Sequence, residues 1–181
     1  MKNYPVIERI APMLKGIEEA TKNIWVSRSI AVVAFVFCRD KDGVMHILVS
    51  KRGEGTPDLE YWHTWNCQCG YLDYDETTRE AASRETYEET GIRIPPAQFG
   101  FWSFNDDPAD SKRQNVTFRY YTIIHNKTIE DFEFSKAHME KDEVEEIRWM
   151  RLDEIDEHKW AFGHNKLIPR LAEELNLCQE K

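Results

Sequence analysis

The stretch Gly70–Ile92, GYLDYDETTREAASRETYEETGI, decides how this chain is read. Its composition forms helix, Asp75 and Glu76 open it with negative charge, and Gly91 supplies a stop, so a helix is expected over Asp75–Thr90. Glu85, Glu88 and Glu89 fall at i, i+3 and i+4, which puts three carboxylates on one face of that helix. Like charges at this spacing cost roughly 0.2–0.5 kcal/mol per pair, and the negative end of the helix dipole adds to the cost. A sequence selected for helix stability alone would place them elsewhere. Hard oxygen ligands gathered on one face are what Mg²⁺ or Mn²⁺ requires. The plainer alternative is a solvated acidic face, the commoner fate of a Glu-rich helix.

The residues around the three glutamates decide between these readings. Gly70 is followed after five residues by Glu76, after seven more by Arg84-Glu85, after two by Glu88-Glu89, and after one by Gly91 and the aliphatic Ile92. This is the spacing of the Nudix box with every charged and glycine position filled, a far more specific signal than a lone glycine-rich loop. The chain therefore resembles the Nudix hydrolases, strongly over Gly70–Ile92 and more weakly, by element order, from Ser29 to Leu175. Two positions depart from the pattern. Thr86 stands where an aliphatic residue is usual, and Gln68-Cys69 replaces a common Pro-Gly turn, which alters the turn presenting the Gly70 carbonyl.

The resemblance implies an α/β fold, specifically an α/β/α sandwich in which a loop–helix–loop packs on a mixed β-sheet. It implies Mg²⁺, or Mn²⁺ in its place, held by Glu85, Glu88, Glu89 and the Gly70 carbonyl. Arg84 would orient the catalytic Glu85 through a charge-assisted hydrogen bond, with Glu76 supporting it from behind. Such metals bridge phosphate oxygens and acidify a water that attacks phosphorus in line, so the implied activity is cleavage of a diphosphate linkage in a small nucleoside diphosphate derivative. In this family a further carboxylate, the general base, often comes from a loop before a late strand. Glu140, Asp142, Glu143, Glu145 and Glu146 precede Ile147-Arg-Trp149, and Glu143 is favoured because Glu145 and Glu146 already read as strand.

Outward from the box, Ser29–Cys38 is continuously apolar and β-branched, as in a strand covered on both faces. The turn Asp40–Gly43 leads to a returning strand, Val44–Lys51. Further strands are expected at Gln98–Phe104, Val116–Ile124 and Val144–Leu152, and an amphipathic helix at Lys166–Leu175. Ile7, Ile10, Leu14 and Ile17 fall at helical spacing. Residues 1–26 are accordingly expected as an N-terminal helical extension and residues 27–181 as the hydrolase domain.

A chain of 181 residues, 41% hydrophobic and 31% charged, suits one soluble domain. Its net charge of −9 argues against a nucleic-acid partner and leaves cations to mediate contact with an anionic substrate. There is no signal-peptide core in Met1–Asn23 and no apolar run long enough to span a membrane. Cys38, Cys67, Cys69 and Cys178 are then expected as reduced thiols in a cytoplasmic protein, with a homodimer admissible. The sequons at Asn115 and Asn126 are read as chance matches.

Other residues carry weaker signals. Cys67 and Cys69 read as two buried thiols. The alternative comes from a resemblance around Trp65-Asn66-Cys67 to isopentenyl-diphosphate isomerase, which shares the fold but lacks the complete glutamate set and takes histidine ligands from an N-terminal part where this chain has none before His46. Trp62, Trp65, Phe101, Trp102 and Phe104 are candidates for a wall against a nucleotide base, and Trp65 and Trp102 are taken as substrate-binding. Arg52, Arg113 and Arg119 are phosphate or ribose candidates by type, with Arg52 preferred. Pro108, sixteen residues beyond Ile92, stands at a spacing similar to that of ADP-ribose-cleaving members. His158 and His164 read as surface or core residues. A hydrolase leads, a nucleotide-sensing domain of the same fold follows, and an isomerase comes last.

Overall fold

The computed structural model describes residues 28–109, 115–135, 137 and 142–177. The extension expected over residues 1–26 lies outside them, as do Asp110, Arg113, Glu140 and Cys178. The strands are β1 (Ile30–Arg39), β2 (Met45–Arg52), β3 (Trp65–Asn66), β4 (Gln68–Tyr71), β5 (Gly100–Asn105), β6 (Val116–Thr128) and β7 (Val144–Arg151). The helices are α1 (Thr78–Thr90) and α2 (His164–Glu174).

The apolar run that opens the domain becomes β1, buried from Val32 to Cys38. It can be apolar throughout because both of its faces are covered, and neighbours flank both of its edges. β6 runs parallel to it from Ile30↔Val116 onward. The other edge is shared, with β4 antiparallel over Ala31–Ala34 and β2 antiparallel from Phe37. β2 carries β7 and the short β3, and β5 closes the far edge on β6, giving a mixed seven-stranded sheet.

Alternation along the strands sends side chains to two cores. Val33, Phe35, Phe37, Ile47, Val49 and Met150 pack with Ile168 and Leu171 of α2. Ala34, Val36, Leu48 and Ile147 pack on the other face with Ala82 of α1 and with Ile92, Ile94 and Phe99 beyond it. The result is the α/β/α sandwich expected. Among the described residues no helix is long and apolar enough to cross a membrane.

Helix α1 begins three residues later than its composition suggests. Asp75 has φ 64°, outside the helical region, and Thr77 with Glu80 forms a reciprocal capping box. Its end is where expected: Gly91 takes the left-handed conformation, φ 77°, and donates to Tyr87 O. Small residues, Ala81, Ala82, Thr86 and Thr90, line its sheet side. The Thr86 hydroxyl donates to Ala82 O at 2.7 Å and that of Thr90 to Thr86 O at 2.5 Å, so the preceding turn satisfies both buried hydroxyls. That explains how threonine fits a position where an aliphatic residue is usual. β5 starts at Gly100 because Pro96–Gln98 forms a 3-10 turn, β6 continues to Thr128, and α2 begins at His164.

Candidate functional site

Where α1 crosses β4, the Glu85 carboxylate lies against the bare backbone of Gly70. A Cβ at Gly70 would overlap Glu85 Oε1, so this close approach requires glycine. Arg84 organises the acidic residues around it. Its Nε and Nη2 donate to Glu76 Oε2 and Oε1 at 3.0 and 2.8 Å, a bidentate pair. Nη1 donates to Glu85 Oε1 and Glu88 Oε2, each at 2.8 Å, and Nη2 also reaches Tyr71 O at 2.9 Å. The Arg84 hydrogen bonds hold Glu76 below the ordinary carboxylate range, and Glu76 in turn pushes Arg84 further toward its charged form.

Glu89 is 6% exposed and accepts from Ser50 Oγ at 2.5 Å and from the Cys69 amide at 2.9 Å. Burial pushes its carboxyl up to about 8, the Glu85 charge adds to this, and the two hydrogen bonds oppose it. Glu85 is pushed up to about 7, first by burial, with Arg84 opposing and with Glu88 and Glu143 adding. Two carboxylates are thus buried together with too little positive charge to settle both. The three box glutamates share one face as expected, but their oxygens are not gathered on one point. Among the described residues no three acidic, histidine or cysteine side chains are so arranged. Nη1 of Arg84 lies between Glu85 and Glu88, while both Glu89 oxygens face donors. An oxygen-only donor set with excess negative charge fits a hard divalent cation such as Mg²⁺ or Mn²⁺ better than a soft one.

Glu143 lines the same narrow cavity as Ser50, Arg52, Asn66 and Glu89. Its charge acts on both Glu85 and Glu89. Of the acids that follow it, Glu145 pairs with Lys51 at 2.8 Å and with His63 at 2.7 Å, and Glu146 is exposed on β7. Arg52 reaches the cavity from the end of β2. One of its Nη atoms lies 3.6 Å from Asp58 Oδ2, and its guanidinium sits 5.0 Å from the Phe162 ring centre. Its buried Nε has no hydrogen-bond partner among the described residues.

The structure does not bring the tryptophans to this site. Trp65 belongs to the core on the α2 face, beside His158 and under Arg148. Trp102 packs against the same core and donates to Glu174 Oε2 at 2.6 Å. Trp62 donates to Thr56 O, and Phe101 and Phe104 are exposed on β5. Cys67 is fully buried on the α2 face, its thiol pushed up by burial, and its amide donates to Nδ1 of His164. Burial holds His164 neutral, down to about 3. Pro108 lies in an exposed turn after β5. Sequence reasoning missed Ser50 and Asn66, whose Oγ and Oδ1 lie 3.2 Å apart beside Glu89. The signal for Ser50 was a polar residue directly after the apolar run Ile47–Val49, at the parity of Leu48.

The description NUDIX domain matches residues 28–171. The chain is 23% identical over 138 residues to Nudix hydrolase 19, chloroplastic, of Arabidopsis thaliana, covering 76% of this chain and 28% of that relative. It is 54% identical over 35 residues to Phosphatase NudJ of Escherichia coli, covering 19% and 23%. The chain thus spans only 28% and 23% of the lengths of these curated relatives. The NUDIX domain of Shewanella oneidensis NrtR, solved with ADP ribose, has a TM-score of 0.67 at 19% identity, covering 88% of this chain and 98% of that one. A bifunctional NMN adenylyltransferase/ADP ribose pyrophosphatase from Francisella tularensis, solved with AMP and a Mn ion, has a TM-score of 0.62 at 21% identity, covering 93% and 48%. These two likenesses concern the fold. Because the family match takes in the whole sheet, α1 and most of α2, the chain belongs to the Nudix family.

Proposed function

We propose that this protein is a pyrophosphohydrolase that uses Mg²⁺, with Mn²⁺ able to substitute, to cleave the diphosphate linkage of a nucleoside diphosphate derivative. In this reading residues 27–181 are the catalytic domain. Glu85, Glu88 and Glu89, with the Gly70 carbonyl, would hold the cation, and Arg84 would stay fastened to Glu76 through Nε and Nη2. When bound, the cation would neutralise phosphate charge and acidify a water. Glu143, in the cavity wall, accepts the proton of the attacking water. The water oxygen forms a bond to phosphorus as the bond from phosphorus to the bridging oxygen breaks, and two monophosphate products leave. Arg52, which lines the cavity, contacts a phosphate oxygen.

The observation that carries this reading is the burial of Glu85 and Glu89 together, with the charge of Glu143 turned on both. Arg84 is the counter-charge of Glu85 and is shared with Glu76 and Glu88, so burying a second carboxylate beside Glu85 costs stability and serves no purpose in packing. The test is a panel of nucleoside diphosphate derivatives, ADP-ribose among them, assayed for monophosphate products with millimolar Mg²⁺. Turnover abolished by chelator is expected. Full activity in excess EDTA would overturn the mechanism, and tight binding without turnover would favour a nucleotide-sensing domain.

A further inference from the structure

The loop that leaves β2 touches the segment that carries Glu143 at two backbone points. The Gly53 amide donates to Glu143 O at 2.7 Å, and the Gly55 amide donates to Asp142 O at 2.8 Å. A Cβ on Gly53 would overlap the Asp142 carbonyl oxygen and lie 3.3 Å from the Glu143 carbonyl carbon. Asp142 itself has φ 59°, in the left-handed region that favours glycine. Such a backbone persists where its surroundings over-determine it. Behind Gly53 the turn is closed by Thr56, which is 4% exposed and whose hydroxyl donates to Gly53 O at 3.0 Å. Trp62 Nε1 caps the Thr56 carbonyl at 2.9 Å. Two residues beyond Glu143, Lys51 and His63 hold Glu145.

We infer that the Gly53–Thr56 turn is a clamp that positions Glu143 at the cavity. The two amides fix the strained Asp142–Glu143 backbone, and a bare Cα at residue 53 is what lets the strands approach. Gly53 and Thr56 are positioning residues, acting on turnover through Glu143. A side chain that must meet a water over the cluster tolerates little displacement, since about 1 Å of misplacement can cost roughly a hundredfold in rate. The inference rests on the reading of Glu143 as the base, and the test keeps the two apart.

The experiment is a double-mutant cycle in kcat and KM, with Mg²⁺ and ADP-ribose or the fastest substrate of the panel. Its single variants are Gly53→Ala, Thr56→Val, Thr56→Ser and Glu143→Gln, and the first two are also combined with Glu143→Gln. Melting temperature and Mn²⁺ affinity are measured alongside. Glu143→Gln should lower kcat by about a hundredfold or more. Gly53→Ala should lower kcat by about tenfold or more while KM and Mn²⁺ affinity stay within about threefold, because the cation ligands are untouched. Thr56→Val should follow in the same direction, and Thr56→Ser, which keeps the hydroxyl, should restore turnover. In the Glu143→Gln background neither Gly53→Ala nor Thr56→Val should lower kcat further. Equal losses in both backgrounds would overturn the clamp and leave a general structural role. Wild-type kcat in Gly53→Ala would overturn it as well. If Gly53→Ala does not fold, the Thr56→Val and Thr56→Ser pair decides by the same comparison. Undiminished turnover in Glu143→Gln removes the base and the clamp together, as does a protein that turns over no member of the panel.

Discussion

Replacing Glu89 with glutamine should separate what this residue does for chemistry from what it costs the fold. In the unfolded chain the carboxyl ionises near 4.5, and in the folded chain it is pushed up to about 8. A folded value raised in this way favours the native state while the group is protonated. That contribution is complete below pH 4.5 and is lost as pH rises through 8. Each tenfold change in proton affinity is worth about 1.4 kcal/mol, so the whole difference would approach roughly 5 kcal/mol for an isolated group. Part of it is the charge of Glu85, a repulsion the two carboxyls share as they titrate together, which leaves on the order of 3 kcal/mol for Glu89 alone. For a chain of this size that is a difference of about 6–12 °C in Tm.

Glutamine keeps the contacts at this position. Its carbonyl oxygen accepts from the Cys69 amide, and its NH₂ donates to Ser50 Oγ, which rotates to receive it. In EDTA, the unsubstituted protein should therefore lose stability between pH 5 and pH 8, while Glu89→Gln should lose less over that range, keeping only the part due to Glu85, and stand above it at pH 8. With Mg²⁺ at pH 8, turnover of Glu89→Gln should fall by roughly a hundred- to a thousandfold. The assays are paired, melting in chelator at several pH values and kcat with the cation. A flat pH profile for the unsubstituted protein, or a variant less stable than it at pH 8, would refute the reasoning about buried charge. Unchanged turnover would remove Glu89 from the mechanism.

Gly70→Ala should force the Glu85 carboxylate off its seat, weakening Mn²⁺ binding and lowering kcat by about tenfold or more; unchanged Mn²⁺ affinity by calorimetry would count against Glu85 as a ligand. Arg84→Lys cannot reproduce the bidentate contact with Glu76 while also reaching Glu85 and Glu88, so kcat should fall by about tenfold or more, with a stability loss of about 1–2 kcal/mol in denaturant titration. Wild-type kcat in that variant would show that the arginine does not orient the cluster. Cys67→Ser should cost about 1 kcal/mol for a buried hydroxyl and leave turnover within a few-fold; complete loss of activity in a folded protein would bring cysteine chemistry back into consideration.

The face shared by Glu85, Glu88 and Glu89 was legible because helical spacing alone dictates it. The start of that helix was equally written in Thr77-Thr-Arg-Glu80, but the acidic residues before it suggested an earlier beginning. β1 was legible from its unbroken apolar run, and the end of β6 was not, since the strand runs on through a bulge at His125–Lys127 before Thr128 rejoins β1, with polar residues that no burial pattern marks. The hydroxyl and amide that meet Glu89 come from β2 and β4, twenty and more residues away, and only the sheet's pairing brings them together. Parity explains the tryptophans: Trp65 and its neighbour Asn66 point to opposite faces, and the register of β3 on β2 decides which one meets the glutamates. The approach of Gly53 to Asp142 spans about half of the chain and leaves no local trace.

The parallel partner of β1 has a consequence for how the chain is made. During synthesis β1 and β2 emerge together, yet the second long edge of β1 is not covered until β6, which starts at Val116 while β1 ends at Arg39. At roughly 5–20 residues per second the ribosome needs on the order of five to fifteen seconds to deliver it. Throughout that interval the nascent hairpin exposes the run AVVAFVFC with an unpaired edge, and the face that α2 will cover stays bare longer still. Intermolecular pairing of that strand competes with folding until β6 arrives. Yield from expression should therefore respond to translation rate and to chaperones that shield extended apolar segments, independently of how stable the finished domain is.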